Sequence, residues 1–241
     1  GGAFSNHIAA TAAMGKEYHL KTLGIIRGEE LQEKWTENPT LKIAHQNGMD
    51  FRFLTREMYK DKDSLTRILE KEFPTALIIP EGGTNERAVE GIQFMLTEET
   101  KSFDYLCTAV GTGGTIAGIS KFAEENQKVI GYKVVDDQSL YHKILNLSAQ
   151  QNFELIEAHG GKYGKITDEN IRFINDFKQK YNIQLDPIYT GKMMRKIFEM
   201  IEEDYFPPES KILAFHTGGL QGISGANELL KKQNRSLIDI N

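Results

Sequence analysis

The stretch from Tyr105 to Glu125 constrains the fold most. An apolar run, Tyr105-Leu106-Cys107-Thr108-Ala109-Val110, gives way to Gly111-Thr112-Gly113-Gly114-Thr115, and Ile116 to Glu125 then continues at helical spacing. A short apolar run followed by glycines and a helical period reads as a buried strand that turns directly into a helix. Such a turn suits an anion, because glycines let the backbone approach a ligand and the first N–H groups of the helix are free to bind it. A tight turn with no ligand uses the same residues, so the cluster alone leaves both readings open. A nucleoside-triphosphate loop would close on Gly-Lys-Ser/Thr, whereas Gly118 is followed by Ile119 and Ser120, which excludes it. A dinucleotide loop would place glycine where Ile116 stands. That reading is weakened, although Asp136 and Asp137 lie near the position of a ribose-binding acid.

The rest of the chain alternates strand and helix signals. Strands are predicted over 22–27, 50–54, 76–79, 105–110, 128–135, 153–158 and 211–215, and helices over 8–14, 40–46, 63–73, 86–96, 116–125, 167–181, 193–203 and 221–231. This alternation implies an α/β fold with a mainly parallel sheet. The turn Pro80-Glu81-Gly82-Gly83-Thr84-Asn85 is the candidate boundary between two domains, residues 1–80 and 81–241, with Asn85 starting the next helix.

Composition removes several functions. The net charge is −5 with acids and bases mixed along the chain, and there is no basic block to follow a phosphate backbone, so nucleic acid is not an expected partner. No apolar segment approaches the roughly 20 residues that span a bilayer, and the first residues do not resemble a signal peptide, so no membrane association is expected. One cysteine, Cys107, cannot form an internal disulfide. It reads as a small buried hydrophobe in a protein of the reducing cytoplasm. No metal site is predicted.

Three further loops carry chemistry. Gly1-Gly2-Ala3-Phe4-Ser5-Asn6-His7 runs straight into a helix, as if a strand preceded it, so a segment upstream of Gly1 is expected. Ser5 and Asn6 either simply cap that helix or stand at a start that receives a carboxylate or an aromatic hydroxyl. His159-Gly160-Gly161-Lys162-Tyr163-Gly164-Lys165 reads as a glycine-hinged flap around a tyrosine. His216-Thr217-Gly218-Gly219 echoes the first strand-glycine-helix turn.

Together, Gly-Gly-x-x-Ser-Asn-His at 1–7, Gly-Thr-Gly-Gly-Thr at 111–115, Tyr-Gly at 163–164, Asp-Pro-Ile-Tyr-Thr-Gly-Lys at 186–192 and His-Thr-Gly-Gly at 216–219 resemble the pyridoxal-phosphate enzymes of the tryptophan-synthase-β type (fold type II). Within them the chain is similar to the group of D-cysteine desulfhydrase and 1-aminocyclopropane-1-carboxylate deaminase. The resemblance implies two three-layer αβα domains with mainly parallel sheets, N-terminally incomplete here, and a homodimer. It implies pyridoxal 5'-phosphate as cofactor and a small amino acid as substrate. Gly111, Thr112, Gly113, Gly114 and Thr115 would hold the cofactor phosphate, Asn6 its ring hydroxyl and Thr217 its pyridine nitrogen. Ser5 and His7 would stand where the substrate carboxylate binds. Tyr163 and Tyr189 would face the substrate, with the tyrosine at 189 a nucleophile or proton carrier in the deaminases. Ser5, Tyr163 and Tyr189 are the catalytic candidates; for both tyrosines, packing with a satisfied hydroxyl is the alternative.

Two positions separate the members of the group. The cyclopropane-opening deaminases resemble Tyr-Glu-Gly-Lys and His-Leu-Gly-Gly where this chain has Tyr189-Thr190-Gly191-Lys192 and His216-Thr217-Gly218-Gly219. Threonine at both places resembles the desulfhydrases. It fits expulsion of a good β-leaving group, which asks less of the cofactor ring than opening a cyclopropane. The family's Schiff-base lysine belongs to a Gly-Asn-Lys-x-Arg-Lys stretch that these residues do not contain, so the chain as given is expected to be inactive. The competing readings are cyclopropane opening to 2-oxobutanoate, a cofactor-binding module without turnover, and an oxidoreductase using a nicotinamide cofactor.

Overall fold

A computed structural model describes residues 1–161 and 164–240. It divides into two compact units, Gly1–Gly83 and Thr84–Asn241.

In the first unit, helix α1 (Asn6–Glu17) leads to strand β1 (Thr22–Arg27), helix α2 (Pro39–Gln46) and strand β2 (Met49–Leu54), followed by helices α3 (Arg56–Lys60) and α4 (Lys62–Glu72). Strand β1 pairs with β2 in parallel, Thr22 opposite Met49 and Arg27 opposite Leu54. Helix α2 begins one residue before the predicted start: Pro39 fits a helix start because its missing N–H would have had no partner there, and Asn38 Oδ1 accepts the Leu41 N–H at 3.0 Å. Ile8, Ala12, Ile26, Leu41, Ala44 and Met49 form the core between these helices and strands. The strand predicted over 76–79 is not formed. Those residues pair with no other strand, and Leu77 is 65% exposed, so the apolar run has neither a ladder nor a buried face to hold it.

The second unit begins with the short helix α5 (Glu86–Gly91), then strand β3 (Tyr105–Val110), helix α6 (Gly114–Phe122), strand β4 (Lys128–Lys133), helix α7 (Leu140–Ser148) and strand β5 (Phe153–Glu157). Helices α8 (Asp168–Tyr181) and α9 (Thr190–Glu202), strand β6 (Ile212–Ala214) and helix α10 (Gly222–Lys232) complete it. The sheet order is β5-β4-β3-β6, and every pair is parallel. Strand β3 is central and buried on both faces, as its unbroken apolar run requires. Leu106 and Val110 pack with Ile116, Ile119, Leu140 and Ile144 of α6 and α7, while Tyr105, Cys107 and Ala109 pack with Met193, Ile197 and Met200 of α9. Helices therefore cover both faces of the sheet, giving three layers. A further cluster of Ile171, Ile174, Leu185, Ile223 and Leu230 joins α8 to α10. Cys107 lies in the core with its thiol 3.8 Å from the Tyr132 hydroxyl, and burial pushes the thiol up to about 12. Among the described residues no helix is long and apolar enough to cross a membrane.

Candidate functional site

Because the four strands of the second unit run in parallel, the loops after β3, β5 and β6 emerge at one edge of its sheet. That edge is where open α/β sheets place their ligands. Gly111 to Gly113 follow β3, His159 to Gly161 follow β5, and His216 to Gly219 follow β6, next to β3. Tyr189, the residue before α9, comes to the same edge: a Cβ on Gly111 would lie 3.0 Å from its Cε1 and 3.3 Å from its hydroxyl oxygen. Glycine at 111 is what lets that ring approach the loop.

The start of α6 is open. Gly113 has φ +92° and offers no side-chain cap, and the first backbone bond of the helix runs from the Ala117 N–H to the Gly113 carbonyl at 3.0 Å. The N–H groups of Gly114, Thr115 and Ile116 precede that bond and have no acceptor within the helix. No acidic residue stands in the first turn to compete with an incoming anion. A Cβ at Gly113 would lie 2.9 Å from Ile144, so the left-handed turn and the close packing both require glycine. This cradle of amides fits a cofactor phosphate. Thr84, which sequence reading passed over as part of a boundary turn, places its hydroxyl 2.6 Å from that of Thr112.

The start of α9 is closed by its own chain. The buried Asp186 carboxylate accepts from the N–H groups of Ile188 and Tyr189 at 2.9 Å each and of Thr190 at 2.8 Å, and from the Thr190 hydroxyl at 2.7 Å. These four bonds fix the backbone of Tyr189. They also engage the Thr190 hydroxyl within the chain. Thr217 is exposed in a turn held by His216, whose Nδ1 accepts the Gly218 N–H at 3.2 Å while Nε2 lies 2.8 Å from the Gln184 carbonyl. That pair of partners selects the neutral ring with its proton on Nε2.

The turn after β5 has the same build. His159 Nδ1 accepts the Gly161 N–H at 2.9 Å, and Nε2 is 2.8 Å from Glu157. The buried Lys192 ammonium donates to the His159 carbonyl at 3.0 Å, and burial lowers its pKa to about 8. Tyr163 lies outside the described residues.

In the first unit Ser5, Asn6 and His7 come together at the start of α1. Ser5 is the cap, its hydroxyl accepting the Ile8 N–H at a long 3.4 Å. His7 packs on Gly83, where a Cβ would meet its Nδ1 at 3.2 Å, and burial holds the imidazole below its usual range.

The parallel sheet and the open helix start define a site for a phosphate-bearing cofactor. Comparison with known proteins gives the family: the model of the pyridoxal-phosphate dependent enzymes matches residues 2–218, and the chain belongs to that family. A bifunctional D-cysteine desulfhydrase/1-aminocyclopropane-1-carboxylate deaminase of Arabidopsis thaliana, mitochondrial, is 29% identical over 92% of this chain and 63% of that protein. The crystal structure of an ACC deaminase homologue superposes with a TM-score of 0.76 at 26% identity, covering 96% of this chain and 76% of its own. Serine racemase from Dictyostelium discoideum shares the fold, with a TM-score of 0.62 at 17% identity over 90% of this chain and 74% of its own.

Proposed function

We propose that the chain forms the cofactor-binding part of a pyridoxal-phosphate-dependent lyase acting on a small amino acid, and that the reaction is β-elimination from D-cysteine to pyruvate, ammonia and sulfide. The observation that carries the reading is the open start of α6 with the Tyr189 ring laid against Gly111, in a chain of this family. When bound, the cofactor supplies a conjugated ring that withdraws electrons from the substrate's α-carbon. The chain's own residues bind and orient it. Backbone amides and threonine hydroxyls of 111–115 fix the phosphate end, and Thr217 serves the ring nitrogen as a hydrogen-bonding rather than a charged partner. Tyr189, its backbone held by Asp186, presents the phenol hydroxyl that would hand a proton on. By the family resemblance, Ser5, Asn6 and His7 are assigned the substrate and ring-hydroxyl contacts, and Tyr163 a contact with the substrate.

Loss of sulfide is favoured over cyclopropane opening because threonine stands at 190 and 217, where the deaminase pattern has glutamate and leucine, so neither position gives the ring a charged partner to strengthen its pull. We assign imine formation to none of the chain's lysines: Lys192 is engaged with the His159 carbonyl, and Lys16 follows the Ser-Asn-His motif. Cofactor binding without turnover is therefore the second reading for the chain by itself. We further propose a cytoplasmic homodimer with its domain boundary at 80/81; light scattering that gives a monomer mass would remove the dimer.

The test loads the purified full-length protein, with the upstream segment expected to carry the imine-forming lysine, with pyridoxal phosphate and assays pyruvate and sulfide from D-cysteine beside 2-oxobutanoate from 1-aminocyclopropane-1-carboxylate. Pyruvate and sulfide are the expected products. A preference for 2-oxobutanoate would overturn the substrate assignment. Cofactor binding with neither product, and no cofactor mass fixed by borohydride, would establish the second reading.

A further inference from the structure

The start of α6 has a neighbour that the motif at 111–115 does not contain. Thr84 lies 27 residues before Gly111 in sequence, yet its hydroxyl is 2.6 Å from that of Thr112, which follows Gly111. It also covers Gly114: a Cβ on that glycine would lie 2.8 Å from Thr84 Oγ1 and 3.3 Å from Thr84 Cγ2. Glycine at the first position of α6 thus makes room for a threonine side chain from another segment, not only for a ligand. Thr84 is held there from its other side. Asn85, the next residue, caps α5 by accepting the Ala88 N–H at 2.8 Å, and α5 packs on α6.

A hydroxyl has one proton and two lone pairs. In a pair at 2.6 Å one hydroxyl donates to the other, and the accepting one keeps its own proton for a third partner. Donation into the pair polarises that remaining O–H and makes it a better donor. Beside it are the N–H groups of the first turn of α6, which have no acceptor within the helix. The acceptor that would satisfy this group is an oxyanion with several oxygens, as a phosphate monoester has.

We propose that Thr84 is a further phosphate-binding residue, acting with Thr112 as a coupled hydroxyl pair at the mouth of the cradle formed by 111–115. The inference rests on the cofactor reading above. It assigns a ligand role to Thr84, which lies outside the motif at 111–115.

The test measures dissociation constants by absorbance titration for pyridoxal phosphate and for pyridoxal, which lacks the phosphate, with wild type, Thr84→Val and Thr84→Ser. Valine keeps the shape and removes the hydroxyl, while serine keeps the hydroxyl. Thr84→Val is expected to weaken pyridoxal phosphate about tenfold and leave pyridoxal unchanged, with Thr84→Ser within about twofold of wild type. Thr84→Ala provides the same comparison should the valine variant fail to fold, as judged by circular dichroism. Unchanged pyridoxal phosphate affinity in both hydroxyl-free variants would overturn the assignment, as would equal weakening of both ligands, which would make Thr84 a wall. A wild type that binds no pyridoxal phosphate would overturn the cofactor reading and this inference together.

Discussion

Helices α6 and α9 begin at the same edge of one sheet and solve the same problem in opposite ways. Every helix start leaves N–H groups without acceptors. At α9 the chain supplies the anion itself: Asp186 accepts from three backbone N–H groups and one hydroxyl, and a Cβ on Gly191 would lie 2.7 Å from the Asp186 carbonyl oxygen, so the turn is closed and tightly packed. At α6 the capping position is Gly113, which has no side chain to offer, and the donors are left for a partner that is not part of the chain. One start is finished on folding and holds Tyr189 still. The other is left open to a ligand. A carboxylate within the fold does at α9 what a phosphate is suited to do at α6.

The largest effect is expected from opening the closed start. Asp186→Ala removes the acceptor of four donors in a buried turn, and should cost about 4 kcal/mol in urea denaturation at neutral pH, since each stranded donor costs about 1–3 kcal/mol less whatever water recovers. Asp186→Asn, with one acceptor oxygen left, should lie between wild type and alanine. A loss below about 1 kcal/mol for alanine would mean that the turn is held by packing and that the contrast between the two helix starts is false.

Lys192 sharpens the contrast from one turn further along α9. Its ammonium is buried on the His159 carbonyl, and burial lowers its pKa from 10.5 to about 8. Between these two values the unfolded chain binds the proton and the folded chain does not. Stability contributed by this residue therefore rises with pH across the window from about 8 to 10.5, and below pH 8 the folded state carries the full penalty of the buried charge. Lys192→Met should remove that slope: wild type gains on the variant by roughly 2 kcal/mol from pH 8 to 10.5, read from urea midpoints at matched ionic strength. Parallel pH profiles would show that Lys192 keeps an ordinary ammonium and reaches solvent.

Much of the cradle was legible because it depends on near neighbours. The run 105–110 and the glycines after it carry strand, turn and helix in one stretch, and the strand boundaries there match the structure to the residue. Helix α7 was not predicted; it is only nine residues long, and Tyr141, His142, Lys143 and Asn146 blur its apolar stripe of Leu140, Ile144 and Leu147. The false strand at 76–79 is the opposite error, an apolar run that finds no partner. Asp186 was visible as part of a motif, but its four-donor role was not, because it depends on how the chain turns into α9. Thr84 was missed for a related reason. Gly82-Gly83-Thr84-Asn85 explains itself locally as a turn and a cap, and its link to Thr112 exists only once α5 packs on α6.

The smallest expected effect is the most diagnostic. Gly114→Ala puts a methyl group at the first position of α6, where the backbone is helical and accepts alanine, and where alanine gains about 1 kcal/mol of helix propensity over glycine. The methyl would lie 2.8 Å from Thr84 Oγ1 and 3.4 Å from Thr84 Cβ, so Thr84 has to move and its 2.6 Å bond to Thr112 has to break. Propensity and crowding oppose each other in the folded chain, and stability is expected to stay within about 1 kcal/mol of wild type. Nothing compensates at the cradle. Pyridoxal phosphate should bind about tenfold more weakly, about 1.4 kcal/mol, with pyridoxal unaffected. A variant that loses stability but not phosphate affinity would place Gly114 with Gly191, as a packing glycine at a finished helix start, and α6 would then need no ligand to complete it.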